Sequence, residues 1–316
     1  MSAGPLDSIP LVVGVDGGGT RTRVLLADLD GRALARVEGA ATALRPGEER
    51  HSAEIITALV QEALASIERA ETRPATLVVG VAGGGQERAA QALWQALASS
   101  RVADDVNVVS DAEIALDDAF GDSAGVLLVS GTGSVAFARA PDGRLERCGG
   151  WGPVLGDEGS GAWLGRRAMS VITAAHDGRE PETALVGAML TALEVESLED
   201  LIPWAAEATP ADFAAIAPVI MQVAAQGDLR ANALLSLGVE ELVLHVRTLA
   251  RRCFTDERAT VPVACAGGLL GKGSLVRKRL EQRLKTAVPG AVVRPEDVDA
   301  ARGAVKRARR LMGVES

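Results

Sequence analysis

No apolar run in this 316-residue chain reaches the ~18 residues a membrane span needs, although 47% of its residues are hydrophobic. The first ten residues hold Asp7 and no basic cluster, so they lack the pattern of a secretory signal. Positive charge is in deficit. The 33 basic residues face 42 acidic ones, and the net charge of −9 argues against a general nucleic-acid or membrane-surface role. Cysteine is scarce too: Cys148, Cys253 and Cys265 lie far apart without a C-x-x-C pair, as expected of plain thiols in a reducing cytoplasm. His51, His176 and His245 are equally scattered, so no structural zinc site is visible. The length suits two domains of roughly 150 residues each.

What the chain has in excess is glycine, 35 residues gathered into short loops, and those loops mark an internal repeat. The apolar run 12–15 meets Asp16-Gly17-Gly18-Gly19-Thr20, resumes over 21–27 and turns at Asp30-Gly31, a strong hairpin signal. The run 126–129 meets Ser130-Gly131-Thr132-Gly133-Ser134, resumes over 135–138 and turns at Asp142-Gly143. Each meander is followed by helical sequence and a fourth strand, Thr76–Val81 in the first half and Val261–Ala266 in the second. Glycines come next, Gly83-Gly84-Gly85 and Gly267-Gly268, and then a fifth strand. That strand is Val106–Ser110 running to Asp111, or Ala291–Arg294 ahead of Asp297.

Both halves therefore read β-β-β-α-β-α-β-α, an α/β fold of two mixed sheets with helices on their faces. The expected domains are 1–119 with 300–316, and 120–299 carrying an Ala- and Leu-rich helical insertion at about 180–253. The last helix, about Ala300–Met312, is expected to pack on the first domain. Gly121 and Gly125 suit a hinge between the halves. Ligands of such sheets gather beyond the carboxyl ends of strands and between domains.

Glycine admits positive φ and lets a large anion approach without meeting a Cβ. Successive N–H groups in such turns form an anion-binding nest, to which Thr20, Thr132 and Ser134 would add hydroxyl donors. Two matched loops in a duplicated chain point to a polyphosphate gripped from both sides. Other phosphate motifs fit worse. Ala266–Gly273 lacks the first glycine and the Ser/Thr of a P-loop, and Gly131-x-Gly133-x-x-Ala136 leads into a hairpin instead of a dinucleotide-binding helix. No Ser-centred nucleophile elbow occurs.

Taken in order, Val-Asp-Gly-Gly-Gly-Thr-Arg-Thr (15–22), Val-Ser-Asp-Ala (109–112), Ser-Gly-Thr-Gly-Ser (130–134), Ala-Gly-Gly-Leu-Leu (266–270) and Cys-Gly-Gly-Trp-Gly-Pro-Val-Leu-Gly-Asp-Glu-Gly-Ser-Gly (148–161) resemble one family. It is the N-acetylglucosamine kinase branch of the actin-like sugar-kinase superfamily, grouped with the BadF/BadG/BcrA/BcrD ATPases. The resemblance spans nearly the whole chain. It implies two actin-like (RNase H-like) ATPase domains facing each other across a cleft, ATP and Mg2+ as cofactors, and transfer of the γ-phosphate to a hydroxyl of an amino sugar. N-acetylglucosamine, glucosamine and N-acetylmuramic acid are the candidate sugars. It also implies a cytoplasmic homodimer without nucleic-acid or membrane partners.

By the same resemblance Asp16 holds the magnesium through water. Gly17, Gly18, Gly19, Thr20, Arg21, Gly131, Thr132, Gly133 and Ser134 serve the phosphates. Gly227, Gly267, Gly268 and Ser274 flank the adenosine. Gly84, Gly150, Trp151, Gly152 and Asp157 line the sugar pocket. Asp111 is the catalytic base and contacts the sugar; its competing role is an N-cap for a helix starting near Ala112. Two positions depart from the pattern: Ala43 replaces an Asn that contacts sugar, and Ala82 replaces a small hydroxyl residue. Arg45 offers a new contact, suited to a sugar bearing a carboxylate. The iron–sulfur activators of the same grouping need clustered cysteines, which are missing. A non-catalytic sugar or nucleotide sensor, or an activator-type ATPase, is the alternative. Retention of Asp16 and Asp111 speaks against the sensor.

Overall fold

The computed structural model describes residues 10–256 and 259–314; residues 1–9, read above for a secretory signal, lie outside the described residues. The chain forms two compact units. One comprises the chain up to Asp122 together with the segment from Val298, and the other is Ser123–Asp297.

In the first unit, β1 (Leu11–Gly17) and β4 (Thr76–Val81) are almost wholly buried, as continuous apolar runs flanked by helices on both faces must be. β1 sits at the centre of the sheet. β2 (Thr22–Asp28) and β3 (Ala33–Gly39) extend it antiparallel on one side, β4 and β5 (Asp105–Ser110) parallel on the other, in the order β3-β2-β1-β4-β5. Helices α1 (Glu49–Ala65) and α2 (Glu87–Ser100) bury Ile56, Leu59, Val60, Leu93 and Leu97 on one face. Strand β5 is an edge, and its outward groups are blunted. Val106 N–H donates to Asp105 Oδ1 at 2.9 Å, and its carbonyl accepts from Trp94 Nε1 at 2.9 Å. Helix α3 (Asp111–Phe120) follows directly.

The second unit repeats the plan. β6 (Gly125–Ser130), β7 (Ser134–Arg139) and β8 (Leu145–Gly149) form the meander. Six helices follow: α4 (Gly161–His176), α5 (Leu185–Ala192), α6 (Leu201–Glu207), α7 (Pro210–Ala215), α8 (Ala217–Ala225) and α9 (Leu229–Cys253). Of these, α4 follows the meander as α1 does in the first unit, and α5 to α9 run from Leu185 to Cys253. Next come β9 (Val261–Ala266), a 3-10 turn at Gly268–Leu270, α10 (Leu275–Ala287) and β10 (Ala291–Val293). The order β10-β9-β6-β7-β8 reproduces the first sheet strand for strand, with β6 in the place of β1.

The repeat does not keep its own closing helix. Helix α11 (Ala300–Leu311) belongs to the first unit, packed on β1 and α3. Two glycines permit that approach. A Cβ on Gly14 would lie 2.3 Å from Ala301 O, and one on Gly303 would lie 1.8 Å from Ile114 O. Charge seals the contact. The buried Asp118 carboxylate receives Arg302 Nε at 2.6 Å and Nη2 at 2.7 Å, and lies 3.0 Å from Lys306 Nζ. Burial pulls the Asp118 pKa up, but the bonds from Arg302, the Asp299 N–H and Lys306 outweigh it and hold the carboxyl below its usual range.

Candidate functional site

In the first unit, three loops beyond β1, β3 and β4 are knitted together. Gly17 O accepts from Ala82 N–H at 2.9 Å. Gly18 O accepts from the N–H groups of Thr42 and Ala43 at 3.2 and 3.1 Å, and Leu44 N–H donates to Ala82 O at 2.8 Å. Beneath them the buried Thr22 and Thr42 hydroxyls bond each other at 2.8 Å. A Cβ on Gly17 would come within 2.5 Å of Thr42 Oγ1, so packing excludes a side chain there. Ala43 and Ala82, the two departures from the family pattern, serve this frame through their backbones. Gly84 is enclosed as well, its Cβ direction ending 2.4 Å from Val109 O.

Positive φ plays no part in the two loops that follow β1 and β6; at Gly17 and Gly133 the need for glycine is one of space. None of Gly17, Gly18, Gly19, Gly131 or Gly133 has φ in the left-handed region, contrary to the nest geometry expected above. Gly18 N–H closes its own turn on Arg21 O at 3.0 Å, and Gly131 N–H closes on Gly133 O at 2.9 Å. Among the described residues, no loop or turn carbonyl accepts from the amides of Gly19, Thr20, Thr132 or Gly133, and the Cβ direction of Gly19 meets open space.

Asp16 is the penultimate residue of β1, its side chain 21% exposed and Arg23 Nη1 3.8 Å away. Burial pushes its pKa from 3.8 to about 6; Arg23 opposes the rise, and the charges of Asp111 and Asp299 add to it. A carboxylate so placed carries its charge at a cost that a nearby cation would relieve, and its hard oxygen donors suit magnesium.

Strand β5 stops at Ser110, and Asp111 is the first helical residue of α3 instead of the last residue of the strand. Ser110 caps the helix, accepting from Glu113 N–H at 3.3 Å while Glu113 Oε2 accepts from Ser110 N–H at 3.0 Å. Asp111 is therefore not the N-cap. Its carboxylate accepts from Ala112 N–H at 2.9 Å. Burial raises its pKa, partly offset by that bond and by its own N–H.

In the second unit, the segment 157–162 embraces the Ser130–Ser134 loop. Ser130 Oγ donates to Gly159 O at 3.1 Å, and Gly161 N–H donates to Gly131 O at 2.8 Å. Ser134 Oγ donates to Glu158 O at 2.7 Å, so its one hydroxyl proton is committed to the fold. The buried Asp157 carboxylate presses on the loop: a Cβ on Gly133 would lie 2.8 Å from its Oδ2. Gly267, at φ +90, abuts Ser130 O, and Gly268 N lies 3.7 Å from the Cβ direction of Gly131. Ser274 caps α10, donating to Leu269 O at 2.6 Å and accepting from Arg277 N–H at 3.0 Å. Gly227 stands at φ +96 between α8 and α9. Gly150 and Gly152 take φ +70 and +84 around Trp151, which is 67% exposed with the Arg147 guanidinium 4.8 Å from its ring centroid.

Unforeseen residues include Arg23 and Asp299 beside Asp16, and Glu113. The Ser110-x-x-Glu113 capping pattern was legible; the approach of Asp299 depends on the chain's return to the first unit. His245 is buried under Gly149, its Nε2 2.2 Å from that glycine's Cβ direction. Among the described residues, no cluster of three or more His, Cys, Asp or Glu could hold a metal.

The BadF/BadG/BcrA/BcrD ATPase family matches residues 13–308. An N-acetylmuramic acid/N-acetylglucosamine kinase of Clostridium acetobutylicum is 28% identical over 300 residues, covering 94% of this chain and 98% of its own. An N-acetyl-D-glucosamine kinase of Dictyostelium discoideum is 26% identical, over 93% of this chain and 96% of its own. A solved structure from Chromobacterium violaceum, named provisionally as an N-acetylglucosamine kinase, has a TM-score of 0.74 at 32% identity, over 94% of this chain and 98% of its own.

Proposed function

The chain belongs to the BadF/BadG/BcrA/BcrD ATPase family, and from that membership we propose an ATP-dependent amino-sugar kinase. It transfers the γ-phosphate of ATP to a sugar hydroxyl, as its full-length kinase relatives support. The observation that carries the residue assignment is the position of Asp111. It is half-buried, relieved of the capping role by Ser110, and near enough to Asp16 for its charge to raise that residue's pKa. Phosphoryl transfer asks for a group to accept the nucleophile's proton and for charge neutralisation at the phosphates. Asp111 is assigned the first task. Asp16 is assigned the magnesium of Mg·ATP, which would supply the second.

The amides of Gly19, Thr20, Thr132 and Gly133 are the proposed phosphate contacts. Gly227, Gly267 and Gly268 are placed beside adenosine, and Gly150, Trp151, Gly152 and Asp157 beside the sugar. With methyl groups at Ala43 and Ala82, and Arg45 exposed nearby in sequence, a carboxylate-bearing amino sugar is the substrate that most needs testing. Magnesium dependence, a homodimer and a cytoplasmic location belong to the same proposal; chelation with EDTA, light scattering and cell fractionation test them in turn. The decisive variant is Asp111→Asn. It is expected to bind ATP and sugar near normally and to lose about a hundredfold or more in turnover. Near wild-type phosphorylation by that variant would remove Asp111 from the chemistry. Comparing glucosamine, N-acetylglucosamine and N-acetylmuramic acid, with and without Arg45→Ala, identifies the sugar.

A further inference from the structure

Asp111 has little of its own to hold it. Among the described residues its carboxylate meets N–H groups of its own first turn, that of Ala112 at 2.9 Å and its own, so its place is set by the backbone at the start of α3. First turns are the part of a helix whose N–H groups lack intrahelical partners, and they fray unless capped. Here the cap is a reciprocal box in which Glu113 Oε2 receives both Ser110 N–H, at 3.0 Å, and Ser110 Oγ, at 2.9 Å. A surface glutamate in such a box is free to swing into water. Glu113 is not, because its other oxygen accepts from Arg307 Nη1 at 3.4 Å and the pair is only 25% and 19% exposed. Arg307 is fixed in turn by its Nε on the fully buried Asp117 carboxylate at 2.5 Å, which Arg310 Nη2 also meets at 2.9 Å.

We propose that Glu113, anchored by Arg307, is a positioning residue that fixes Asp111 for proton transfer. The inference rests on the reading of Asp111 as the base. The last helix of the chain thereby sets the aim of a residue almost two hundred positions earlier. A purely structural glutamate would lower stability and disturb binding and turnover together. A positioning one lowers kcat while leaving KM in place, because displacement of a reacting group by about 1 Å is enough to slow a reaction by orders of magnitude.

The test measures kcat, both KM values and the melting temperature of the full-length protein carrying Glu113→Ala, Glu113→Gln, Arg307→Met, Asp111→Asn and the pair Glu113→Ala/Asp111→Asn. Glu113→Ala should lose about tenfold or more in kcat with little change in KM for ATP or sugar. Glu113→Gln keeps an acceptor for Ser110 and should recover most of the loss. The double variant should be no slower than Asp111→Asn alone. Wild-type kcat in Glu113→Ala, a fall in kcat matched by a rise in KM, or additive losses in the double variant would overturn the proposal. Should Glu113→Ala fail to fold, Arg307→Met decides: a lowered kcat at constant KM supports the proposal, and wild-type kcat refutes it. If Asp111→Asn itself keeps wild-type kcat, the base reading has failed, which is a different result from any of these.

Discussion

Replacing Asp16 with Asn should make the ligand-free protein more stable and inactive at once. Burial raises the folded-state pKa of Asp16 from 3.8 to about 6, so the folded protein binds that proton more tightly than the unfolded chain does. The sign follows: the group stabilises the fold when protonated, and stability is lost as pH rises from about 4 through the folded pKa near 6. Above that window the loss is constant. A shift of roughly two units corresponds to about 3 kcal/mol, an upper bound because the carboxylate keeps some contact with water. Arg23, 3.8 Å away, offsets little beyond what the shifted value already contains. Asn carries no charge to desolvate, so it escapes the penalty. Urea or thermal unfolding of both proteins without nucleotide, at pH 4.5 and pH 8, reads the difference directly. Asp16→Asn should gain about 1–3 kcal/mol at pH 8, several degrees in Tm, and almost nothing at pH 4.5. Mg·ATP should raise the Tm of the wild type and leave the variant unmoved. A variant no more stable than wild type at pH 8, or changed equally at both pH values, would refute the reasoning.

Gly133→Ala drives a methyl toward Asp157 Oδ2, 2.8 Å from the Cβ position. It should therefore raise KM for the sugar as well as for ATP; an effect confined to ATP would separate Asp157 from the sugar. Gly303→Ala places its methyl 1.8 Å from a backbone oxygen of α3, where no side chain can yield. A loss of more than about 3 kcal/mol in unfolding measurements is expected, and a loss under about 1 would contradict the close packing of α11.

The order of elements along the chain was legible because both halves keep the same glycine loop and Asp-Gly turn at nearly constant spacing. The limits of β4 and β9 fall on the residues expected, Thr76–Val81 and Val261–Ala266. Local chemistry was misread where two physical reasons predict the same residue. Glycine at 17–19 is expected both to take positive φ and to let an anion approach; the first does not hold, since none of the three has positive φ and Gly17 excludes a side chain by packing on Thr42. Asp111 was weighed as a cap because Asp is a common one, while Ser110, with Glu113 three residues on, is the stronger pattern. Other features carry no local signal. The anchoring of Glu113 by Arg307 depends on the chain returning from the second unit, and the closeness of Asp299 to Asp16 depends on the same return. The commitment of Ser134 to Glu158 O depends on how the segment 157–162 folds over its loop.

Incubation of the purified protein with Mg·ATP and each amino sugar, followed by mass spectrometry of the sugar and quantitation of ADP, tests the kinase assignment most directly. One ADP should appear for each phosphorylated amino sugar formed, with neither product in the absence of sugar. ADP release that is indifferent to every amino sugar, or tight sugar binding without a phosphorylated product, would contradict it.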